Sequence, residues 1–479
     1  QYYRRSVLPI IRIKIPMRFL FPITCLSLLP CCLFAQLPMG ADLYKQLCIE
    51  CHGARLEGNK AAPLIKENWL YGRDRTRMIR NIKHGIPNTT MIAWGTVLSD
   101  EQIESLYDFI VEAQTTPIEA SKPIPERLQT EEYDLKLEVL VDDQLNTPWS
   151  IEFIDEHRAL VTEKPGRLRW LVDGKLDPRP IDGLPQIFSR GGLMDVALDP
   201  DYETNGWIYL AHAHSLDHPD SREARAMTRI IRGKIDAHEW TEEEVIFQVP
   251  QDRYHSGGNR WGGRLLLDDQ YLYFSIGDMS RGDASQDPTQ PNGKTYRIHH
   301  DGSIPGDNPF LKVERAIEAV YSLGNRNVQG FSFHPETGDI WMTEHGPMGG
   351  DELNILKNGN NYGWPVITYG KDYSGEIVST RTHKEGMEQP ITQWTPSIAV
   401  CATEFCTSPL FPKWKNHLFV GALAYEELRR LVIEDNQVIH QEVILKGYGR
   451  VRDQKVGPDG ALYAILNQPG SVVKITPYE

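Results

Sequence analysis

Gly457-Pro458-Asp459-Gly460-Ala461-Leu462-Tyr463-Ala464 reads as a tight turn that feeds a short apolar strand. The same pairing recurs up the chain. Asp199-Pro200-Asp201 stands before Trp207-Ile208-Tyr209-Leu210, and His334-Pro335-Glu336 before Asp339-Ile340-Trp341-Met342. Arg158-Ala159-Leu160-Val161-Thr162, Tyr271-Leu272-Tyr273-Phe274 and His417-Leu418-Phe419-Val420 are strands of the same make. The six units are spaced by about 45 to 80 residues, where a four-stranded propeller blade takes roughly 40 to 50 plus loops. Residues 133–479 are therefore expected to form an all-β six-bladed β-propeller. A pair of β-sandwiches would recur less regularly. A propeller gathers its long loops at one end of a central channel, and a ligand is expected there.

Ahead of this region, residues 115–132 hold Pro117, Pro123 and Pro125 among charges, which predicts an extended linker. Residues 36–114 read as a small all-α domain with a different chemistry. Cys48-Ile49-Glu50-Cys51-His52 is C-x-x-C-H, the attachment pattern of a c-type haem, with two thioethers and His52 as an axial ligand. A zinc half-site would need a second ligand pair nearby, and none follows. Short helices are expected over 42–48 and 99–111, the second opened by a Ser99/Gln102 capping box with Ile103, Leu106, Tyr107 and Ile110 on one face. Thr89-Thr90-Met91-Ile92-Ala93-Trp94-Gly95 resembles the stretch that carries the second axial ligand in small class I cytochromes c, with Ile92 where they have proline. Met91 is thus the expected sixth ligand. Met78 is its rival, inside a helical pattern.

The first 35 residues read as an export signal, with Met17 a better start than Gln1. The apolar run 19–35 is broken by Pro22 and Pro30 and ends at Leu33-Phe34-Ala35, an acceptable cleavage site. It is short for a membrane span, and Cys31 and Cys32 lack the small preceding residue of a lipoprotein signal. A periplasmic or otherwise exported protein with no membrane span in the mature chain is expected. Loss of the segment removes five basic and no acidic residues, taking the formal charge from −14 to −19. That argues against nucleic acid or an anionic membrane as partner and permits a downstream redox protein. Cys401 and Cys406 are expected to pair across a short loop, two buried thiols being the alternative. His212, His214 and His218, and the run Glu242-Glu243-Glu244, are expected in solvated loops. Trp364 and Trp394 either face a sugar or pack in the core.

Several longer motifs stand in the propeller region: Leu145-Asn146-Thr147-Pro148-Trp149, Gly191-Gly192-Leu193-Met194-Asp195, Trp261-Gly262-Gly263-Arg264-Leu265, Asp301-Gly302-Ser303-Ile304-Pro305, Leu323-Gly324-Asn325-Arg326-Asn327, Glu344-His345-Gly346-Pro347, Asn361-Tyr362-Gly363-Trp364-Pro365 and Arg450-Val451-Arg452-Asp453. In this order they resemble the soluble quinoprotein glucose/sorbosone dehydrogenase family, nearest its aldose sugar dehydrogenase type. The resemblance implies pyrroloquinoline quinone (PQQ) held by Ca2+, a base that takes the anomeric hydroxyl proton, and hydride transfer to the quinone. It places the carbonyls of Gly346 and Pro347 on the cofactor's calcium. Arg326 and Asn327 face the quinone oxygens, and Arg450 and Arg452 clamp carboxylates. Asp278 orients the base. Glu352 and Asp372, with the carbonyls of Tyr362 and Thr368, resemble a second calcium site.

The chain departs from that pattern at three places. Arg260 stands where the family has its catalytic His, Arg190 where it has Gln, and Ala424 where it has Lys. Arginine stays protonated, so Arg260 does not replace His as a base. His255 on its Gly257-Gly258 loop, His345, Asp278 or water is left for that role. Two added guanidiniums at Arg190 and Arg260 would suit an acidic sugar. The expected protein is an enzyme: a quinohaemoprotein that oxidises a sugar or related alcohol and passes electrons to its own haem c. The alternative is a PQQ-less propeller that binds glycan beside an electron-transfer module. A lactonase-type hydrolase would leave the haem unexplained.

Overall fold

The computed structural model describes residues 40–478 apart from 54, 57, 59–60, 62, 65–73, 88, 90, 115–121 and 219–222. The expected signal, with Cys25, Cys31 and Cys32, lies outside the described residues, as does the front of the linker.

Six antiparallel sheets follow one another along the chain, four of them four-stranded and two, the second and the last, extended by a short fifth strand. Their innermost strands are Pro148–Phe153, Leu193–Leu198, Leu265–Leu267, Val328–Phe333, Val400–Phe405 and Val451–Val456. Each touches the next, and the last returns to the first, so the sheets form a closed ring of six blades. Blade VI is completed by the front of the chain: Asp134–Val141 pairs with Gly470–Pro477, with Leu135 opposite Pro477 and Val139 opposite Val473. Ile340–Glu344 is buried along its whole length, as is Leu418–Ala422. A strand inside a blade is covered on both faces by neighbouring blades, which selects continuous apolar runs over alternation.

The six sequence units have one place in this architecture. Each is the second strand of its blade: Arg158–Glu163, Ile208–Ser215, Tyr271–Ile276, Ile340–Glu344, Leu418–Ala422 and Leu462–Asn467. Their turn residues connect the inner strand to the second. In blade VI, Asp459 Oδ1 accepts from the Ala461 amide at 3.0 Å, and Gly460 N donates to the Gly457 carbonyl at 2.9 Å. Such Asx turns hold the hairpin without help from the core.

At the centre, Arg264 ties the inner strands together. Its Nη1 donates to Asp195 of blade II at 3.2 Å and to Asp453 of blade VI at 3.1 Å. Its Nε donates to the Gln329 carbonyl of blade IV at 2.8 Å. The guanidinium lies 4.3 Å from the ring centre of Trp149 in blade I. Asp195 also receives the Leu265 amide, and Asp453 the Ile151 amide. Several motif residues thus build the hub of the ring.

Among its described residues the haem module has four helices: α1 (Gly40–Leu47), α2 (Ile49–His52), α3 (Arg75–His84) and α4 (Asp100–Glu112). The Ser99/Gln102 capping box is present on α4, and Asp74 caps α3 through the Arg77 amide at 3.0 Å. α1 crosses α4 so closely that a Cβ on Gly40 would lie 1.9 Å from the Ser105 carbonyl oxygen. Leu43, Tyr44, Met78, Ile82, Trp94, Ile103 and Leu106 form the core. Among the described residues no helix is long and apolar enough to cross a membrane.

Four expectations need correction. Cys401 and Cys406 are separate buried thiols. Cys401 lies in the extended strand Val400–Phe405 and Cys406 directly follows it, and five residues at ~3.3 Å each exceed the reach of a disulfide. His212 and His214 lie on the strand Ile208–Ser215, not in a loop, and His212 is fully buried. Glu242–Glu244 are exposed as expected but belong to the strand Glu239–Phe247. Arg127–Gln129, inside the expected linker, is an edge strand paired with Asp134–Val141.

Candidate active site and haem site

The connections from outer strand to next inner strand and from second strand to third share one end of the ring. There the loop 345–350 and the excursion 357–391, which links the third and outer strands of blade IV, line a small open cavity. Arg326, His345, Gly346, Glu352, Tyr362 and Thr368 are among its walls. Residues expected at both calcium positions and at the quinone therefore share one cavity. Asp372 is set apart in the adjoining turn, where its Oδ1 accepts from the Ser374 amide at 2.9 Å. The Pro347 carbonyl accepts from Gly349 N at 3.1 Å.

Arg326 dominates the cavity electrostatically. Its Nη1 donates to the carbonyls of His345, at 3.1 Å, and Gly346, while its buried Nε has no hydrogen-bond partner. Burial pushes its pKa down, and the nearby Arg260 adds to this. A desolvated cation with an unmet donor calls for an anionic or carbonyl acceptor. On the same walls stand buried acids. Glu344 accepts from the Arg326 amide at 2.7 Å and from Asn325 at 3.1 Å. Glu352 accepts from Asn354 at 3.1 Å. Burial pushes both carboxyls above their ordinary range, and the charge of Glu344 adds to the shift on Glu352. Asp351, which holds the Gly346 amide at 2.8 Å, is raised by burial to about 6. Among the described residues no three His, Cys, Asp or Glu side chains form a metal cage. A hard cation here would rest on Glu352 and backbone oxygens. The donor set, a buried guanidinium beside Glu352 and backbone oxygens, would suit an anionic quinone next to a hard cation.

Asp278 lies behind Trp364 and is fully buried. Arg260, the departure from the family pattern, is paired with it: Nε to Oδ1 is 2.6 Å and Nη2 to Oδ2 is 3.4 Å. Trp364 Nε1 donates to Oδ2 at 2.9 Å and the Ser280 amide to Oδ1 at 3.0 Å. Each carboxylate oxygen thus has two donors, which fills its acceptor capacity. The charge of Arg260 is met, so the added positive charge expected for an acidic sugar falls to Arg190, which is exposed.

The remaining sites are more dispersed. Asn327 accepts from Gly262 N at 3.1 Å, and its amide nitrogen stands 3.3 Å from His345 Nδ1. Arg452 donates to Gln329 at 2.9 Å, and its buried Nε has no hydrogen-bond partner. Arg450 is buried and exchanges backbone bonds with Gln468 and Asn467. His255 sits in a two-residue strand against Ala226, with Nε2 3.0 Å from the Asn292 amide. Trp394 is core, bonded to Gln441 at 3.1 Å. Sequence reasoning missed the part of Trp364 as an Asp278 donor, and the carboxylates Glu344 and Asp351 against Arg326 and Gly346. Their positions inside quoted motifs were the available signal.

In the haem module, α2 presents Cys48, Cys51 and His52 within one turn, with the following Gly53 carbonyl held by the Tyr44 hydroxyl at 2.7 Å. Cys48 and Met91 both pack on the apolar core, which suits a porphyrin between them. Burial, with the Cys51 thiol adding to it, pushes Cys48 up to about 12. Met78 is buried within α3.

A closed six-bladed ring with this cavity, carried beside a C-x-x-C-H helical module, defines a haem-containing oxidoreductase of the sugar dehydrogenase class. The family described as Glucose / Sorbosone dehydrogenase matches residues 145–474, and the chain belongs to it. Residues 35–110 match the family described as Cytochrome C oxidase, cbb3-type, subunit III. Aldose sugar dehydrogenase YliI of Escherichia coli strain K12 is 36% identical over 360 residues, covering 72% of this chain and 93% of its own. The crystal structure of the soluble E. coli aldose sugar dehydrogenase in its apo-form aligns at 34% identity and a TM-score of 0.67, covering 72% of this chain and 100% of that one. Cytochrome c55X of Stutzerimonas stutzeri is 35% identical over 75 residues, covering 16% of this chain and 66% of its own.

Proposed function

We propose that the chain is an exported, periplasmic quinohaemoprotein. It oxidises a sugar or related alcohol on the propeller with PQQ and Ca2+ and passes the electrons to its own haem c, then to a downstream redox protein. The observation that carries the reading is the Arg326 cavity, where a desolvated guanidinium with an unmet donor faces buried carboxylates. When bound, PQQ supplies the hydride acceptor. Arg326 would hold the quinone side, the carbonyls of Gly346 and Pro347 the cofactor's calcium, and Glu352 with the carbonyls of Tyr362 and Thr368 a second calcium. Trp364 and Arg260 fix Asp278. Since that carboxylate is full, the sugar's proton leaves to His345 on the cavity wall or to water.

The test is a titration of the haem-loaded protein with neutral and acidic sugars, with PQQ and Ca2+ added, followed by haem absorption. Reduction that needs PQQ and one sugar class supports the reading. The Arg260–Asp278 pair favours a second reading, a PQQ-less glycan-binding propeller. Sugar binding without PQQ binding or haem reduction would establish that instead.

A further inference from the structure

The haem module is seated on the cavity end of the propeller. Lys45 of α1 meets Glu426, in the loop between the second and third strands of blade V, at 3.5 Å. Arg55 meets Asp143, in the loop that enters blade I, at 3.2 Å. The Thr96 hydroxyl donates to the Ser374 carbonyl. The next residue, Gly375, comes so close that a Cβ there would lie 2.8 Å from Thr96 Oγ1. Ser374 belongs to the excursion that folds back on the cavity loop, where Met348 N donates to the Lys371 carbonyl at 2.9 Å.

Met348 makes the most informative contact. It lies in the cavity loop, two residues after Gly346, yet its side chain packs against the apolar core of the haem module. Cys48, the first thioether position, and Met91, the expected axial ligand, pack on the same core. A single short loop therefore joins the cavity wall to the haem module's apolar core. Neither the propeller fold nor the C-x-x-C-H motif requires this contact.

We propose that Met348, with the Gly346–Met348 segment behind it, is the electron exit from the propeller to the haem, and that the haem module works docked in this seat and not as a freely swinging tether. The proposal rests on the dehydrogenase reading above. Oxidation of one sugar alcohol carbon releases two electrons and two protons. The ferric haem takes one electron, an external one-electron acceptor returns it to ferric, and it takes the second; the protons go to water. Electron tunnelling falls exponentially with the gap, so a packed side chain between the two centres sets the rate. A tether alone would supply a high local concentration but no fixed distance.

The experiment uses the full haem-loaded chain with two readouts after mixing with sugar: stopped-flow haem reduction, and reduction of a small diffusible dye that accepts electrons from the propeller directly. Met348→Ala is expected to slow haem reduction roughly tenfold or more while dye reduction stays unchanged, and Met348→Leu to restore it. A third readout needs no sugar: Thr96→Cys with Ser374→Cys, assayed for a disulfide by mass. The bond is expected to form in the resting protein, and the locked protein is expected to reduce its haem at the unlocked rate. Unchanged haem reduction in Met348→Ala, failure of the disulfide to form, or a locked protein that reduces dye but not haem would each overturn the proposal. A wild-type protein that reduces neither dye nor haem would remove the dehydrogenase reading, and the exit with it, while the disulfide would still report whether the modules are docked.

Discussion

Arg260 shows how one residue redirects a site. Its pairing with Asp278 at 2.6 Å, together with Trp364 and Ser280, occupies the acceptor positions of that carboxylate. Arg260→His is expected to raise sugar turnover by ~10²-fold and to give kcat a limb at an imidazole pKa. An unchanged kcat and pH profile would show that the proton leaves by another group. Arg264 is the structural counterpart, a buried cation on Asp195 and Asp453. Burial already pushes Asp195 upward, against the pull of Arg264. Arg264→Ala strands two carboxylates, so a loss of ~3–5 kcal/mol is expected in denaturant unfolding. His212 governs acid sensitivity. Its Nδ1 meets the Ala213 carbonyl at 3.1 Å, its Nε2 has no hydrogen-bond partner, and burial, with Arg229 and His214 adding, depresses its pKa to about 3. The unfolded chain takes that proton first, near pH 6.5. Stability is therefore full above that pH and lost as pH falls from about 6.5 to about 3, by ~1.4 kcal/mol per unit. His212→Leu is expected to flatten that limb in acid titrations of unfolding.

At the scale of elements, the repeat was legible because four of the inner-to-second-strand turns carry an Asp that caps its own turn, at Asp155, Asp199, Asp268 and Asp459, and most second strands have an apolar or aromatic centre. The strand Ile208–Ser215 was legible only in its front half. Ala211-His212-Ala213-His214 lacks β-branched residues, and both imidazoles project to one face, their ring centres 6.4 Å apart. Nothing local distinguishes that from a polar loop; burial by the neighbouring blade decides it. The cavity residues were legible by motif position, but their pairings were not: Asp278 and its donor Trp364 are 86 residues apart. α4 was read nearly to its ends because it has its caps in sequence, whereas α3 showed only as the helical pattern around Met78 and α2 was not foreseen. Ser99→Ala removes one half of the capping box and is expected to cost ~1 kcal/mol in unfolding of that module, measured by thermal melts followed at the haem.

For the whole molecule, the closing strand determines when it becomes whole. Asp134–Val141 is made early, yet its partner Gly470–Pro477 is the last strand of the chain. Until that strand emerges, the first one presents an unpaired edge, and five blades stand without a closed ring. The haem module is complete by Glu112 and owes none of its helices to the ring. The two halves of the molecule therefore mature on different clocks: the helices of the front are made before any blade, and the ring closes only with the final hairpin. Pairings of such sequence separation are slow to form and leave apolar edges waiting. Truncation before Gly470 should yield a haem-bearing front attached to an aggregation-prone, unclosed remainder.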